Sequence, residues 1–142
     1  MGLTESPPQA ITHATVLLID DDEAELKHWS DTLRTFASSY TVLNALDCRS
    51  GLAICRDRTV DCVLLDLDMP ESGFFALLEL VPDRERPAVA VIILTHLVHP
   101  NLAEMAKHNG AQAWLLKKHT SAEELSTAIQ QAMSFVKSTR KH

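Results

Sequence analysis

The sequence predicts an α/β fold in which a parallel sheet of five strands lies between helices on both faces. Five short runs rich in Val, Ile and Leu recur along the chain without polar alternation, as strands buried on both faces do. Segments with helical spacing lie between and after these runs. Such alternation implies right-handed crossovers and a doubly wound sandwich. At 142 residues, the chain has the length of one domain of this kind.

The predicted strands are the apolar runs at residues 16–19, 40–46, 62–65, 89–94 and 113–116. The helices follow each in turn, at residues 24–37, 49–58, 74–81, 102–109 and from Thr120 or Ser121 onward. The first helix carries an apolar stripe through Leu26 and Leu33, which is typical of a helix packed on a core. Pro82 ends the third helix and Gly110 closes the fourth, while Glu123 and Glu124 complement the dipole at the start of the fifth.

The composition excludes several classes of function. The net charge is −6 and the Lys and Arg residues are scattered, so we expect no nucleic-acid partner. No apolar run approaches the ~18 residues of a membrane span, and we expect no membrane partner either. The three cysteines, Cys48, Cys55 and Cys62, form no CxxC pair and are odd in number. They predict reduced thiols in a cytoplasmic protein.

Polar residues directly follow four of the five predicted strands. They are Asp20 to Asp22 after the first strand, Asp66 and Asp68 after the third, Thr95 after the fourth and Lys117 after the fifth. Because the carboxyl ends of parallel strands meet at one edge, we expect these side chains to converge there. Hard carboxylate oxygens suit Mg²⁺, one carboxylate can act as a nucleophile, and a hydroxyl and an ammonium can hold phosphoryl oxygens.

Each of these residues also has a purely structural interpretation. The three aspartates at 20–22 can cap the helix that follows. Asp66 can end a strand before a turn at Met69 and Pro70, Thr95 is a common strand residue, and a lone lysine such as Lys117 is often a solvated amine. Their joint occurrence at the strand ends of one edge favours a shared site.

Four ordered motifs carry a resemblance to a known family. The segments VLLIDDD at 16–22, DCVLLDLDMP at 61–70, VIILT at 91–95 and GAQAWLLK at 110–117 resemble the receiver domains of bacterial response regulators, the CheY-like family. The resemblance covers about residues 14–137. It implies a flavodoxin-like (βα)5 fold, with a receiver domain at 14–138 and a short tail at 139–142. The polar residues 1–13, which include Pro7 and Pro8, predict a flexible lead-in before it.

The resemblance also assigns roles at the predicted edge. Asp66 matches the phosphoacceptor of the family. Asp20 and Asp21 match the acidic pair, which would bind Mg²⁺ together with Asp66 and the backbone carbonyl of Asp68. Asp22 falls one place beyond that pair and is left out of the site.

Further positions match the part of the family that responds to phosphate. Thr95 and Lys117 would hold the phosphoryl oxygens. Trp114 stands where the family places an aromatic residue that moves inward when the threonine engages phosphate, although ordinary packing explains a bulky residue there equally well. His96 follows Thr95 where a small residue is usual, so it either gates the phosphoryl site or is a plain exposed histidine.

Two other departures from the family pattern concern the backbone. Gly73 follows Pro70 by three residues where the family usually has four, which predicts a shortened loop after the phosphorylation site. Lys118 stands where the family most often has proline after a cis bond. Without proline the cis form costs about 2.5–4 kcal/mol, so a trans bond is expected.

The resemblance implies a signalling phosphoacceptor rather than an enzyme, one that catalyses at most its own phosphorylation and dephosphorylation. A histidine kinase or phosphotransfer protein would supply the phosphoryl group. A downstream protein or a second copy would read the surface of the fourth helix, fifth strand and fifth helix. Two alternatives stay open: a Mg²⁺-dependent phosphohydrolase of haloacid dehalogenase type, from the D-x-D form of Asp66 and Asp68, and a degenerate receiver that only docks.

Overall fold

The sheet has five parallel strands in the order β2-β1-β3-β4-β5, which confirms the predicted doubly wound fold. This computed structural model describes residues 10–69 and 72–140. The strands are β1 (Ala14–Ile19), β2 (Tyr40–Ala45), β3 (Cys62–Leu65), β4 (Ala90–Thr95) and β5 (Ala113–Leu116). The helices are α1 (Glu23–Phe36), α2 (Cys48–Asp57), α3 (Gly73–Leu80), α4 (Pro100–His108) and α5 (Ala122–Thr139), with a short 3₁₀ turn at Lys117–His119.

Two element ends differ from the predicted ones by more than a residue. β1 begins at Ala14 rather than at residue 16 because it pairs along its whole length with β2, from Ala14 opposite Tyr40 onward. α4 begins at Pro100 rather than at residue 102. His99 precedes it as N-cap and accepts a hydrogen bond from the Leu102 N–H, so Pro100 occupies the first helical position, where its missing N–H costs nothing.

Side-chain caps fix where three other helices begin. The Asp22 carboxylate accepts from the N–H groups of Ala24 and Glu25 at the start of α1, so the capping interpretation holds for Asp22. The Asp47 carboxylate accepts from the Ser50 N–H at the start of α2. Of the two residues predicted to cap α5, the structure uses Ser121, which forms a capping box with Glu124.

Each face of the sheet packs against its own hydrophobic core. The first core contains β1, β3 and β4 side chains together with Leu26, Trp29 and Leu33 of α1 and the apolar stripe of α5. The second joins the opposite face of the same strands to α2, α3 and α4. Because both faces are covered, the central strands are buried throughout, which explains their unbroken apolar sequence.

The ends of the chain are described in part. Of the predicted lead-in at 1–13, residues 1–9 lie outside the described residues, and Thr12 exchanges hydrogen bonds with Gln130 of α5. In the predicted tail, Thr139 is the last residue of α5 and residues 141–142 lie outside the described residues. Pro70 and its neighbour Glu71 also lie outside them, so the predicted loop shortening stays a prediction. Across the described segments, none of the helices combines the length and apolarity of a membrane span.

Candidate functional site at the carboxyl edge of the sheet

The sheet register brings the predicted site residues to one edge. Ile19, the last residue of β1, lies opposite Leu65 of β3, and Leu65 lies opposite Ile93 of β4. Thr95 then lies opposite Leu116 of β5. The residues that follow these positions therefore leave the sheet side by side.

Lys117 joins the first and third strand ends through two ion pairs. Its Nζ donates to Asp20 Oδ2 at 2.5 Å and to Asp66 Oδ2 at 3.0 Å. The Lys117 side chain is 3% exposed, and the side chains of Asp20 and Asp66 are each 8% exposed. All three charges are therefore largely removed from water. The structure therefore brings together Asp20, Asp66 and Lys117, which the sequence placed at three separate strand ends.

Backbone N–H groups hold the other oxygen of each carboxylate. The Asp22 N–H donates to Asp20 Oδ1 at 2.9 Å, and the Asp68 N–H donates to Asp66 Oδ1 at 2.8 Å. Both contacts span two residues, as in the turns that aspartate makes with the chain that follows it. The sharp turn after each strand thus fixes the orientation of its carboxylate.

The pKa values of Asp20 and Lys117 are both raised, so the site holds protons more tightly than the free side chains do. Burial raises the pKa of Asp20, and the hydrogen bonds from Lys117 and the Asp22 N–H offset that rise only in part, while the charge of Asp66 adds to it. Burial opposes the charge of Lys117, but the hydrogen bonds and charges of Asp20 and Asp66 outweigh it and raise the pKa of Lys117. Two buried carboxylates around one ammonium leave the site net negative.

Thr95 is fully buried at the end of β4. Its Oγ1 accepts a hydrogen bond from the Leu97 N–H at 3.2 Å. A hydroxyl that accepts one bond still carries a hydrogen that it can donate. Thr95 can therefore hold the turn after β4 and donate to an oxygen bound at the edge.

Asp21 and Asp68 have a different environment from Asp20 and Asp66. Both side chains are exposed, and neither belongs to the ion pairs of Lys117. In residues 10–69 and 72–140, no group of three or more His, Cys, Asp and Glu side chains is placed to hold a metal ion. The structure thus supplies two inward carboxylates at the edge, with Asp21 beside them on the solvent side.

This donor set nevertheless fits a magnesium ion. Mg²⁺ is usually bound through one or two carboxylates and retains several waters rather than requiring a complete protein cage. Asp20 and Asp66 are buried carboxylates in a net negative site, and Asp21 is the adjacent exposed one. These three residues, with the backbone carbonyl of Asp68, are the ones that could hold it.

The sequence analysis missed one residue of this edge, Glu25. Its Oε1 lies 2.6 Å from His96 Nε2 and 3.7 Å from Lys117 Nζ. His96, which was expected either to gate the site or to be plainly exposed, is 46% exposed and bound to Glu25. Glu25 is in the first turn of α1 rather than at a strand end. The one sequence signal for Glu25 is its position four residues, about one helical turn, after Asp21.

Trp114 lies in the middle of β5, opposite Ile93 of β4. It is partly buried and packs against the second core, while its neighbours Ala113 and Leu115 pack against the first. This placement is ordinary strand packing, and its predicted movement stays a prediction. The bond between Lys117 and Lys118 is trans, as expected for a residue other than proline.

A family model, the response regulator receiver domain, matches residues 16–130. The chain belongs to the response regulator receiver family. Receiver domains are signalling modules of two-component systems, and the family is not one of classical enzymes.

Two curated relatives show how receivers of this kind occur. The receiver is 32% identical over 105 residues to protein PilH of Pseudomonas aeruginosa, covering 73% of this chain and 85% of PilH. It is 30% identical over 130 residues to a gliding motility regulatory protein of Myxococcus xanthus, covering 89% of this chain and 16% of that protein. The same unit therefore occurs almost alone in one relative and as a small part of the other.

A solved structure supports the same assignment. A response regulator receiver domain protein from Clostridium thermocellum is 32% identical and superimposes with a TM-score of 0.76. The match covers 87% of this chain and 97% of that one. Fold and family thus agree over almost the whole described chain.

Proposed function

We propose that this receiver accepts a phosphoryl group on Asp66 from the phosphohistidine of a histidine kinase or phosphotransfer protein. The observation that supports this most is the buried contact of Asp66 with Lys117, at 3.0 Å, on the edge shared with Asp20 and Thr95. A nucleophilic carboxylate needs a fixed orientation and a nearby cation. The Asp68 N–H and Lys117 supply them.

The transfer is a displacement at phosphorus. A carboxylate oxygen of Asp66 forms the new P–O bond while the P–N bond of the donor breaks, and the imidazole nitrogen leaves with the bonding electron pair. Lys117 holds a phosphoryl oxygen as a point charge and Thr95 donates its hydroxyl hydrogen to another. The product carries roughly −1.5 to −2 charges in place of one.

Receiver domains generally bind Mg²⁺ at an acidic pocket, and this pocket has suitable donors. Asp20, Asp21, Asp66 and the Asp68 carbonyl would hold the ion. When bound, it would offset the negative charge that builds up between donor and acceptor. We therefore expect phosphorylation to depend on Mg²⁺.

The output is a change at a protein-binding surface. Because Thr95 and Lys117 lie at the ends of β4 and β5, their movement toward the phosphoryl group displaces the loops that lead into α4 and α5. A downstream protein or a second copy of the receiver would read the α4-β5-α5 surface, and Trp114 would report on it. The free thiols Cys48, Cys55 and Cys62 agree with a reducing cytoplasm.

The test is incubation with acetyl phosphate and Mg²⁺, followed by intact mass. We expect the mass of one phosphoryl group in the wild type, and its absence in Asp66→Asn and in the sample with EDTA. Asp57→Asn, which alters an exposed carboxylate at the end of α2, is the control and keeps the added mass.

Other results would point elsewhere. If neither acetyl phosphate nor a panel of phosphorylated histidine kinases transfers a phosphoryl group, the protein is a receiver that only docks. Sustained turnover of a phosphate ester would instead indicate a phosphohydrolase.

A further inference from the structure

One oxygen of Glu25 lies between two nitrogen groups at the mouth of the site. Glu25 Oε1 is 2.6 Å from His96 Nε2, within hydrogen-bond distance, and 3.7 Å from Lys117 Nζ, beyond it. Glu25 is 21% exposed and His96 46%, whereas Lys117 is 3% exposed. The pair therefore joins the first turn of α1 to the turn after β4, directly outside the buried lysine.

The number of N–H groups on Lys117 limits how many oxygens the ammonium can bind at one time. An ammonium has three donors, and Asp20 Oδ2 and Asp66 Oδ2 accept two of them. The third is the one that a phosphoryl oxygen on Asp66 can take without breaking an existing ion pair. Glu25 is the third carboxylate within 4 Å of Lys117 Nζ in the described chain, so it competes for that donor.

We propose that His96 is a positioning residue that binds the Glu25 carboxylate and holds it off Lys117, so that the third N–H of Lys117 stays available to a phosphoryl group on Asp66. The inference rests on the proposed function, because it concerns how firmly the phosphorylated state is held. It assigns a role to Glu25 and makes the role of His96 depend on it.

The charges set the direction of the expected effects. Without the His96 side chain, the partly buried Glu25 carboxylate loses its hydrogen-bond partner, and the nearest cation is Lys117. An approach of Glu25 to Lys117 occupies the third donor and also repels an incoming phosphoryl group. Replacing Glu25 by glutamine removes the repulsion and weakens the competition, because a neutral amide oxygen is a poorer acceptor for an ammonium than a carboxylate. This holds whether or not His96 is present.

The experiment measures the Kd of beryllofluoride, a phosphoryl analogue, with Mg²⁺ in the full chain. The set is wild type, His96→Ala, His96→Gln, Glu25→Gln and the double variant His96→Ala with Glu25→Gln. We expect His96→Ala to bind about two- to fivefold more weakly, as for the loss of one partly exposed hydrogen bond. His96→Gln keeps an N–H donor and restores binding, and the double variant binds at least as tightly as wild type. Glu23→Gln, the same charge change at an exposed position of α1, leaves Kd unchanged.

A second measurement needs no phosphoryl group. A crystal structure of His96→Ala is expected to place Glu25 Oε1 within hydrogen-bond distance of Lys117 Nζ, closer than the 3.7 Å between these atoms when His96 is present. His96→Gln is expected to keep the longer distance. An unchanged distance in His96→Ala would overturn the inference.

The two proposals fail in different ways. Suppose that wild type binds beryllofluoride and that His96→Ala and the double variant have the same Kd. The effect of His96 then does not depend on Glu25, and the inference is wrong. If wild type binds no beryllofluoride and takes no phosphoryl group, the proposed function is wrong and the inference falls with it.

Discussion

Lys117 determines the charge balance of the site at the scale of single residues. Within the described part of the chain, it is the one cation that forms ion pairs with both Asp20 and Asp66. Each carboxylate has a backbone N–H on one oxygen and Lys117 on the other. The loss of this ammonium would leave two neighbouring buried carboxylates with no opposite charge.

We therefore predict that Lys117→Met destabilises the receiver at neutral pH. The loss is expected to be about 1–3 kcal/mol, the usual cost of leaving a buried polar group without its partner. Urea unfolding followed by circular dichroism measures it. Lys118→Met, at the exposed neighbouring position, is the control and should stay within about 0.5 kcal/mol of wild type. Equal losses for the two variants would show that the ion pairs do not stabilise the fold.

Asp20 gives a prediction about pH. Because its pKa is raised above 3.8 in the folded protein, its contribution to stability is fully present below that value and is lost as pH rises through the folded pKa. The free energy of unfolding of wild type minus that of Asp20→Asn should therefore fall as pH rises above 3.8 and through the raised pKa of Asp20 in the folded protein. Denaturant unfolding across this range measures the difference. A difference that grows with pH would contradict the raised pKa.

The residues of the site could be predicted from sequence to different degrees. Asp20, Asp66, Thr95 and Lys117 each follow an apolar run directly, and the position of a strand end is readable without coordinates. Glu25 was not predicted because it reaches the edge from the first turn of a helix. Its distance to Lys117 depends on the angle at which α1 packs on the sheet. No local sequence pattern determines that angle.

At the scale of elements, the end of α4 depends on one glycine. Gly110 has φ of +108°, a conformation that residues with a Cβ rarely adopt. Its N–H donates to the Lys107 carbonyl as the helix ends. A Cβ at this position would also meet the Val81 side chain, which follows α3. The turn that leads into β5 therefore requires glycine for both conformation and space.

We predict that Gly110→Ala lowers the free energy of unfolding by about 1–3 kcal/mol, from backbone strain and overpacking together. Thermal and urea unfolding measure the loss. The double variant Gly110→Ala with Val81→Ala, compared with Val81→Ala alone, separates the two causes, because it removes the Val81 methyl group nearest to the added Cβ and keeps the strain. Wild-type stability in Gly110→Ala would mean that the turn readily adopts another conformation.

Element types were predictable and some element ends were not. The central strands are buried on both faces, so their apolar runs identify them. α4 begins two residues before the predicted start because Pro100 stands at its first helical position rather than in the loop before it. Proline is equally compatible with the first helical turn, and the His99 side chain that caps it is a contact that sequence spacing does not reveal.

At the scale of the whole molecule, the edge site and the α4-β5-α5 surface are linked through the last two strands. Thr95 lies opposite Leu116, and Trp114 lies opposite Ile93 on the same pair of strands. We therefore expect a movement of Thr95 toward a phosphoryl group to displace the part of the sheet where Trp114 packs.

We predict that beryllofluoride with Mg²⁺ shifts the fluorescence emission of Trp114 to shorter wavelength, because the ring moves inward. Trp29 lies in the core on the other face of the sheet, so a Trp29→Phe background leaves Trp114 as the reporter. Thr95→Ala in that background should abolish the shift while beryllofluoride still binds. An unchanged emission on binding would leave Trp114 as a packing residue only.

The ion pairs of Lys117 also connect residues that lie far apart in the sequence. Asp20 and Lys117 are separated by 97 positions in sequence, and Asp66 and Lys117 by 51. The site is therefore complete only after β5 has been synthesised and has paired with β4. A truncated or partly unfolded chain lacks one side of the pocket, so under the proposed function we expect it to take up no phosphoryl group. Phosphorylation of Asp66 would then report that the chain is folded as well as that a donor is present.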